Sequence, residues 1–199
     1  MKVVLAVTAA VCLSCLLTGP GCDKSAGADY WPMAEGNLWQ YRSVMIYAQP
    51  DSAPDTLINE DYMTWKCGSQ VTLDSGPKAW AVEVSIGDTM YFSESRNAVL
   101  LYDDVSDTDP DTWLVLPFEE GKTWNYADGT MLVREKGTVE VPAGTFKNCW
   151  KVEMLEGGSM SQSFLWFGPN LGLVFIEQSY ESQGSSITAR YELTSKTVK

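Results

Sequence analysis

The residues that could do chemistry are few, and one absence shapes them all: the 199-residue chain has no histidine. Ser–His–Asp and Cys–His nucleophile systems therefore lack their base. His-ligated zinc and copper sites are excluded for the same reason. Carboxylate and lysine chemistry remain. Asp107, Asp109 and Asp111 have the oxygen spacing that opens a calcium loop. A full loop would want Gly after Asp111 and Glu at its twelfth position, where Thr112 and Phe118 stand, and Pro110 interrupts it. The expectation is a weak extracellular-type calcium site at most, on what otherwise reads as a solvated acidic loop. Glu119 and Glu120 are adjacent, so on a strand they point opposite ways and cannot flank one glycosidic bond. Glu83 and Glu153 read as outward-facing strand residues. No residue is assigned a catalytic role, so the chain is expected to be no enzyme and to use no cofactor.

Five cysteines are present. Cys12 and Cys15 fall in an apolar leader. Cys67 and Cys149 remain as a pair that could form a disulfide in an exported protein; two separate buried thiols are the alternative. Cys22 has a different setting. Met1-Lys2 gives one positive charge, and Val3 to Leu17 is an uncharged run. That run is shorter than the roughly 20 residues a spanning helix needs. It reads as a secretory signal over 1–21. Thr18-Gly19-Pro20-Gly21 supplies small residues, and Cys22 follows at once, which resembles the lipobox of bacterial lipoproteins. There the thiol carries diacylglycerol and the chain is cut before the cysteine. Cys15 is the second candidate, but using it would truncate the apolar run. Residues 22–29 read as a flexible tether. The expected address is the bacterial cell envelope, lipid-anchored to a membrane.

The elements that must position any site are strands. Thr138-Val139-Glu140-Val141 and Lys151-Val152-Glu153-Met154 alternate apolar and polar, and Leu38 to Tyr47 puts Trp39, Tyr41, Met45 and Tyr47 on one side. Gly and Pro punctuate about a dozen such runs. The final pair, 172–181 and 187–194, reads as a hairpin. The expected fold is all-β: a curved antiparallel sheet, half-barrel or sandwich-like, in one domain over 30–199. With 26 acidic against 14 basic residues, the surface is negative. That argues against nucleic acid, which is gripped by Lys and Arg at phosphates, and against docking on anionic lipid heads.

The chain also repeats itself. Pro32 to Tyr41 and Pro117 to Tyr126 share P-x-x-E-G-x-x-W-x-Y. Trp80-Ala81-Val82-Glu83-Val84 parallels Trp150-Lys151-Val152-Glu153-Met154, and Tyr91-Phe92 parallels Trp166-Phe167. Two related β units are expected, at about 30–103 and 115–181, with the acidic loop 103–111 dividing them and the 187–194 strand closing one edge.

At these residues the chain resembles exported bacterial lipoproteins of the DUF3108-like families. The carrying motifs are Gly36-Asn37-Leu38-Trp39-Gln40-Tyr41, Gly121-Lys122-Thr123-Trp124, Val141-Pro142-Ala143-Gly144-Thr145-Phe146 and Gly172-Leu173-Val174. The resemblance implies a curved antiparallel sheet and no activity. Two function classes follow. One is a binding or carrier module for an apolar or glycan ligand, since 8 Trp, 9 Tyr and 6 Phe could line a groove. The other is a structural or assembly subunit that meets another protein. An open apolar cavity would favour the first, and a large exposed apolar patch without one the second.

Overall fold

The structure is a computed structural model that describes residues 30–48, 56–85, 87–156, 161–182 and 185–199. The signal, Cys12, Cys15, Cys22 and the tether lie outside the described residues. Twelve strands follow in order: β1 Leu38–Ala48, β2 Thr56–Thr72, β3 Lys78–Val84, β4 Thr89–Glu94, β5 Ala98–Tyr102, β6 Asp111–Val115, β7 Thr123–Tyr126, β8 Gly129–Val141, β9 Gly144–Glu156, β10 Ser161–Gly168, β11 Gly172–Ser182 and β12 Ser185–Thr197. They form one antiparallel sheet, ordered β6-β5-β4-β3-β2-β1-β12-β11-β10-β9-β8-β7. The chain is therefore an all-β meander that starts in the middle of its own sheet.

The two sheet ends meet, and side chains nearly close the barrel. Trp113 on β6 and Tyr126 on β7 pack edge to face at 5.4 Å. Trp124 Nε1 donates to the Thr112 carbonyl at 3.0 Å, and the Ala127 amide donates to Asp111 Oδ1 at 3.0 Å. Strand β12 does not close an edge, as its position in the sequence suggested. It pairs with both β1 and β11 and joins the two halves of the sheet. Nor does the acidic loop divide those halves. It precedes β6, so each half holds six strands and the boundary falls at 116–122.

The halves share backbone detail. Gly36 (φ 86°) and Gly121 (φ 80°) sit in left-handed conformations, which glycine adopts without strain. The Gly36 amide donates to the Cys67 carbonyl, and the Cys67 amide to the Asn37 carbonyl. Gly121, Val133 and Lys122 make the same two bonds. Trp39 pairs with Trp65 on β2, as Trp124 pairs with Met131 on β8. Trp80 lies opposite Phe92, as Trp150 lies opposite Phe167. The register breaks between Cys67 and Gln70 and again between Val133 and Lys136, at matching places. Such bulges bend a strand and raise its twist. Trp39 and Trp124 are both buried; Trp80 and Trp150 are both half-buried.

Antiparallel connections alternate between the two barrel ends. The end holding Tyr30 and Lys199 is plugged. Trp31 inserts there, 2% exposed, with its ring centroid 5.0 Å from Phe92, 5.8 Å from Trp113 and 6.2 Å from Phe167. Asn37 clamps this plug. Its Nδ2 donates to the Pro32 carbonyl at 2.8 Å, and its Oδ1 accepts the Lys199 amide at 3.0 Å. In the second half Lys122 Nζ reaches the corresponding Pro117 carbonyl at 3.0 Å. Removing the plug ring leaves a large void, so Trp31→Ala should destabilise by about 3–5 kcal/mol. Exposed Tyr180→Ala should change stability by no more than about 0.5 kcal/mol. Urea unfolding of the two variants checks the contrast.

Candidate functional site

Among the described residues, the end opposite the plug is open. Its rim is uneven because the strands differ in length. β3 stops at Val84, opposite Trp65, but β2 runs on from that level back to Thr56, paired with β1 as far as Tyr47. At about 3.3 Å per residue, the part of β2 beyond the end of β3 is roughly 30 Å long, and it makes a wall above the shorter strands. Across the mouth, β5 and β6 have 5 residues each and β7 has 4, which makes a low rim carrying the 103–110 loop.

Register fixes what faces the mouth, since directly paired residues share a face of the sheet. Tyr41 is inside the core, so Met45 and Tyr47, two and three pairs along the same strand face, point to the same side. Tyr47 pairs with Ile187, and Ile187 with Tyr180. Met45, Ile187 and Tyr180 are exposed and carry apolar surface past the core on the inner face of the tall wall, where Asp61, paired with Ser43, adds one carboxylate. The outer face carries ion pairs instead, with Arg42 to Glu192 at 2.6 Å and Arg190 to Glu177 at 2.8 Å. Exposed pairs of this kind contribute about 0–1 kcal/mol each.

Below the mouth is a cavity of about 240 Å³, lined by Trp65, Phe92, Trp113, Tyr126, Met131 and Leu165 among others. Trp31 packs against three of these rings and forms part of the floor's support. Ser163 and Gln178 are the polar lining residues besides Tyr126. Trp113 is buried, and its Nε1–H has no hydrogen-bond partner among the described residues. A buried donor left unpaired costs about 1–3 kcal/mol. Burial raises the Tyr126 phenol above its ordinary pKa, and the charges of Asp111 and Asp103 raise it further. A vestibule of about 620 Å³ adjoins the cavity through shared Trp65 and Met90, with Asp88 and Asp103 on its wall.

The residues singled out from the sequence lie elsewhere. Asp107, Asp109 and Asp111 do not assemble a calcium site, which corrects that expectation. Asp107 accepts the Asp103 and Asp109 amides, and Asp111 accepts the Ala127 amide, so the carboxylates serve the loop backbone. Among the described residues, no group of three or more thiol or carboxylate side chains is gathered to hold a metal ion. The Cys67–Cys149 disulfide is also corrected: both are free, buried thiols. They lie on β2 and β9, which have four strands between them in the sheet. Cys67 Sγ contacts Met33 Sδ at 3.8 Å, and Cys149 Sγ donates to the Phe146 carbonyl at 3.5 Å.

Glu83 is outward and exposed, with Lys66 Nζ at 3.4 Å. Glu153, its counterpart in register, is buried at 3% exposure. Its carboxylate pairs with Arg134 and accepts Gln162 Nε2 at 3.1 Å. It lies in an outer-face cleft of about 510 Å³ beside Lys151, whose ammonium sits 3.9 Å over Phe164. Nothing in the local sequence signals this, because Arg134 comes from the neighbouring strand. Each carboxylate oxygen has a partner, so the cluster is a satisfied charge network and not an acid–base pair.

No family model matches the chain, and no curated protein matches it. The likeness to the DUF3108-like families therefore rests on the motifs alone. Among solved structures the chain is similar to a protein of Bacteroides fragilis NCTC 9343 described as exported and as having a YmcC-like fold. The identity is 14%, with 85% of this chain and 99% of that chain covered, at a TM-score of 0.46. It is also similar to a protein of Parabacteroides distasonis ATCC 8503 described as a lipoprotein, at 16% identity, the same coverages and a TM-score of 0.38. Neither likeness carries an inference about activity.

Burial pushes the Cys67 thiol up to about 11 and raises Cys149 likewise. Only thiolate reacts readily, so at neutral pH the folded domain should leave both unmodified by iodoacetamide. Unfolding without reductant should then expose two reactive thiols from residues 30–199. Thiols that appear only after reduction would restore the disulfide.

Proposed function

We propose that this protein is a lipid-anchored, non-catalytic binding module of the bacterial cell envelope, holding a compact apolar ligand in the barrel mouth. The open, aromatic-lined cavity carries this reading, because binding sites are typically concave, mostly apolar and furnished with a few polar groups. Ser163 and Gln178 are such groups. Within this reading residues 30–199 are one domain made of two copies of a six-strand unit. Cys22 carries the lipid, eight residues before Tyr30. A chain of that length reaches at most about 28 Å, so the plugged end faces the anchoring membrane and the mouth faces away.

The alternative is a structural or assembly subunit. It is favoured by the exposed Met45, Tyr180 and Ile187 of the tall wall, which a protein partner could cover. The cavity behind that wall weighs toward a ligand.

Filling the cavity separates the readings. Ser163 is buried and lines it. Ser163→Trp should weaken binding of the neutral probe N-phenyl-1-naphthylamine by about tenfold or more, equivalent to about 1.4 kcal/mol. Tyr62→Ala, on the exposed outer face, should leave it unchanged. Equal binding by a folded Ser163→Trp chain would remove the cavity as the site. For the anchor, palmitate labelling should vanish in Cys22→Ala and survive in Cys15→Ala; the reverse would move the lipid to Cys15.

A further inference from the structure

The cavity and its rim differ in chemistry, and together they select a ligand class. The cavity is lined by the aromatic rings of Trp65, Phe92, Trp113 and Tyr126. The vestibule above presents the carboxylates of Asp88 and Asp103. The 85–88, 103–110 and 127–128 connections leave the strands at this end of the barrel. The 103–110 loop then reaches the β2–β3 tip, where the Asp74 amide donates to the Val105 carbonyl, so Asp88 and Asp103 are the carboxylates at the vestibule. Asp88 and Asp103 have no ion-pair partner among the described residues. Among the described residues, no Lys or Arg lines the cavity or the vestibule to offset these carboxylates.

We infer that the mouth is a site for a substituted ammonium compound, in which a compact apolar body carries a cationic nitrogen. Two separate features fit the two parts of such a ligand. Aromatic rings attract a cation to their faces by about 0.5–2 kcal/mol, more as the site is desolvated. The Asp88 and Asp103 carboxylates add long-range attraction in the vestibule and repel anionic amphiphiles such as fatty acids. A volume of about 240 Å³ limits the occupant to a small body, not a long acyl chain. The inference rests on the mouth being a ligand site, as proposed above, and adds the charge of the ligand.

The test compares butyrylcholine with 3,3-dimethylbutyl butyrate, an ester of the same shape whose quaternary nitrogen is replaced by carbon. Both are titrated calorimetrically into the exported full-length chain carrying Cys22→Ser to keep it soluble, with butyrate as the anionic control. Butyrylcholine should bind about tenfold more tightly than the neutral ester, with a preference that shrinks as salt is raised. The double variant Asp88→Asn, Asp103→Asn should lose that preference while its affinity for the neutral ester is unchanged. Equal binding of both esters, or a preference that survives in the double variant, overturns the cation inference and leaves the apolar-ligand reading standing. Tighter binding of butyrate overturns it as well. Binding of neither ester, together with no binding of the neutral naphthylamine probe, overturns both.

Discussion

Twelve strands enclose more space than ordinary inward side chains can fill. About eight strands give a barrel interior that side chains just occupy, and diameter grows with strand number. Here the surplus is met in three ways. Large rings from several strands crowd the interior, and Phe92, Trp113 and Phe167 pack against one another or against Trp31. The segment before β1 turns inward and drives Trp31 into one end. The remaining space stays open at the other end. The plug and the cavity are thus two outcomes of one volume constraint. The plug end is also where the hydrogen bonds converge: Trp39 Nε1 donates to the Leu171 carbonyl at 2.6 Å, and Tyr41 Oη to the Leu173 carbonyl at 2.9 Å. These bonds tie the first strand of one half to the turn region of the other. The Tyr41 phenol is held neutral there by burial, far above its usual range.

Closing a sheet of this size needs curvature, and the matching bulges supply it in both halves. Behind the first bulge, the β2–β3 tip packs Leu73 and Ala79 on Tyr102 as a separate small cluster. Behind the second, the β8–β9 tip reaches β12, where the Ala143 amide donates to the Leu193 carbonyl at 2.9 Å. Each long hairpin therefore folds over its own half of the sheet and covers backbone that would otherwise be open. Closure at β6 and β7 needs only side chains, since the curvature has already brought those edges together.

The strands were legible in the sequence because alternation and Gly–Pro punctuation are local. The paired turns were legible because Pro, Gly and Trp are distinctive and recur at fixed spacing. Closure was not. β6 begins inside the acidic run, so Asp111 to Val115 reads as the divider running into the second unit when it is the last strand of the first half. β12 looked like an edge because it comes last, but a meander that begins mid-sheet returns to its own first strand. The buried Glu153 was hidden because it and Glu83 have nearly the same local sequence. What differs is across the ladder, where the residue facing each site comes from another strand. The cavity was illegible for the same reason. Its Trp, Met and Leu residues each read as core, and only the difference in strand length between the walls leaves them uncovered at one end.

Strand length also links the scaffold to the reading of its function. Had β5, β6 and β7 matched β1 and β2, the rim would be level and the acidic 103–110 loop would stand well above the rings. Because these strands are short, the loop sits at the height of Trp113 and Tyr126, close enough that Asp103 and Asp111 perturb the Tyr126 phenol. Opposite, the long strands carry Met45 and Ile187 past the core, with Asp61 as the charged residue of that face. A ligand entering the mouth meets a mostly apolar wall on one side and carboxylates on the other before it reaches the rings. An amphiphile can be oriented by such a mouth. A wholly apolar molecule would gain nothing from the acidic side, and an anionic one would be repelled by it.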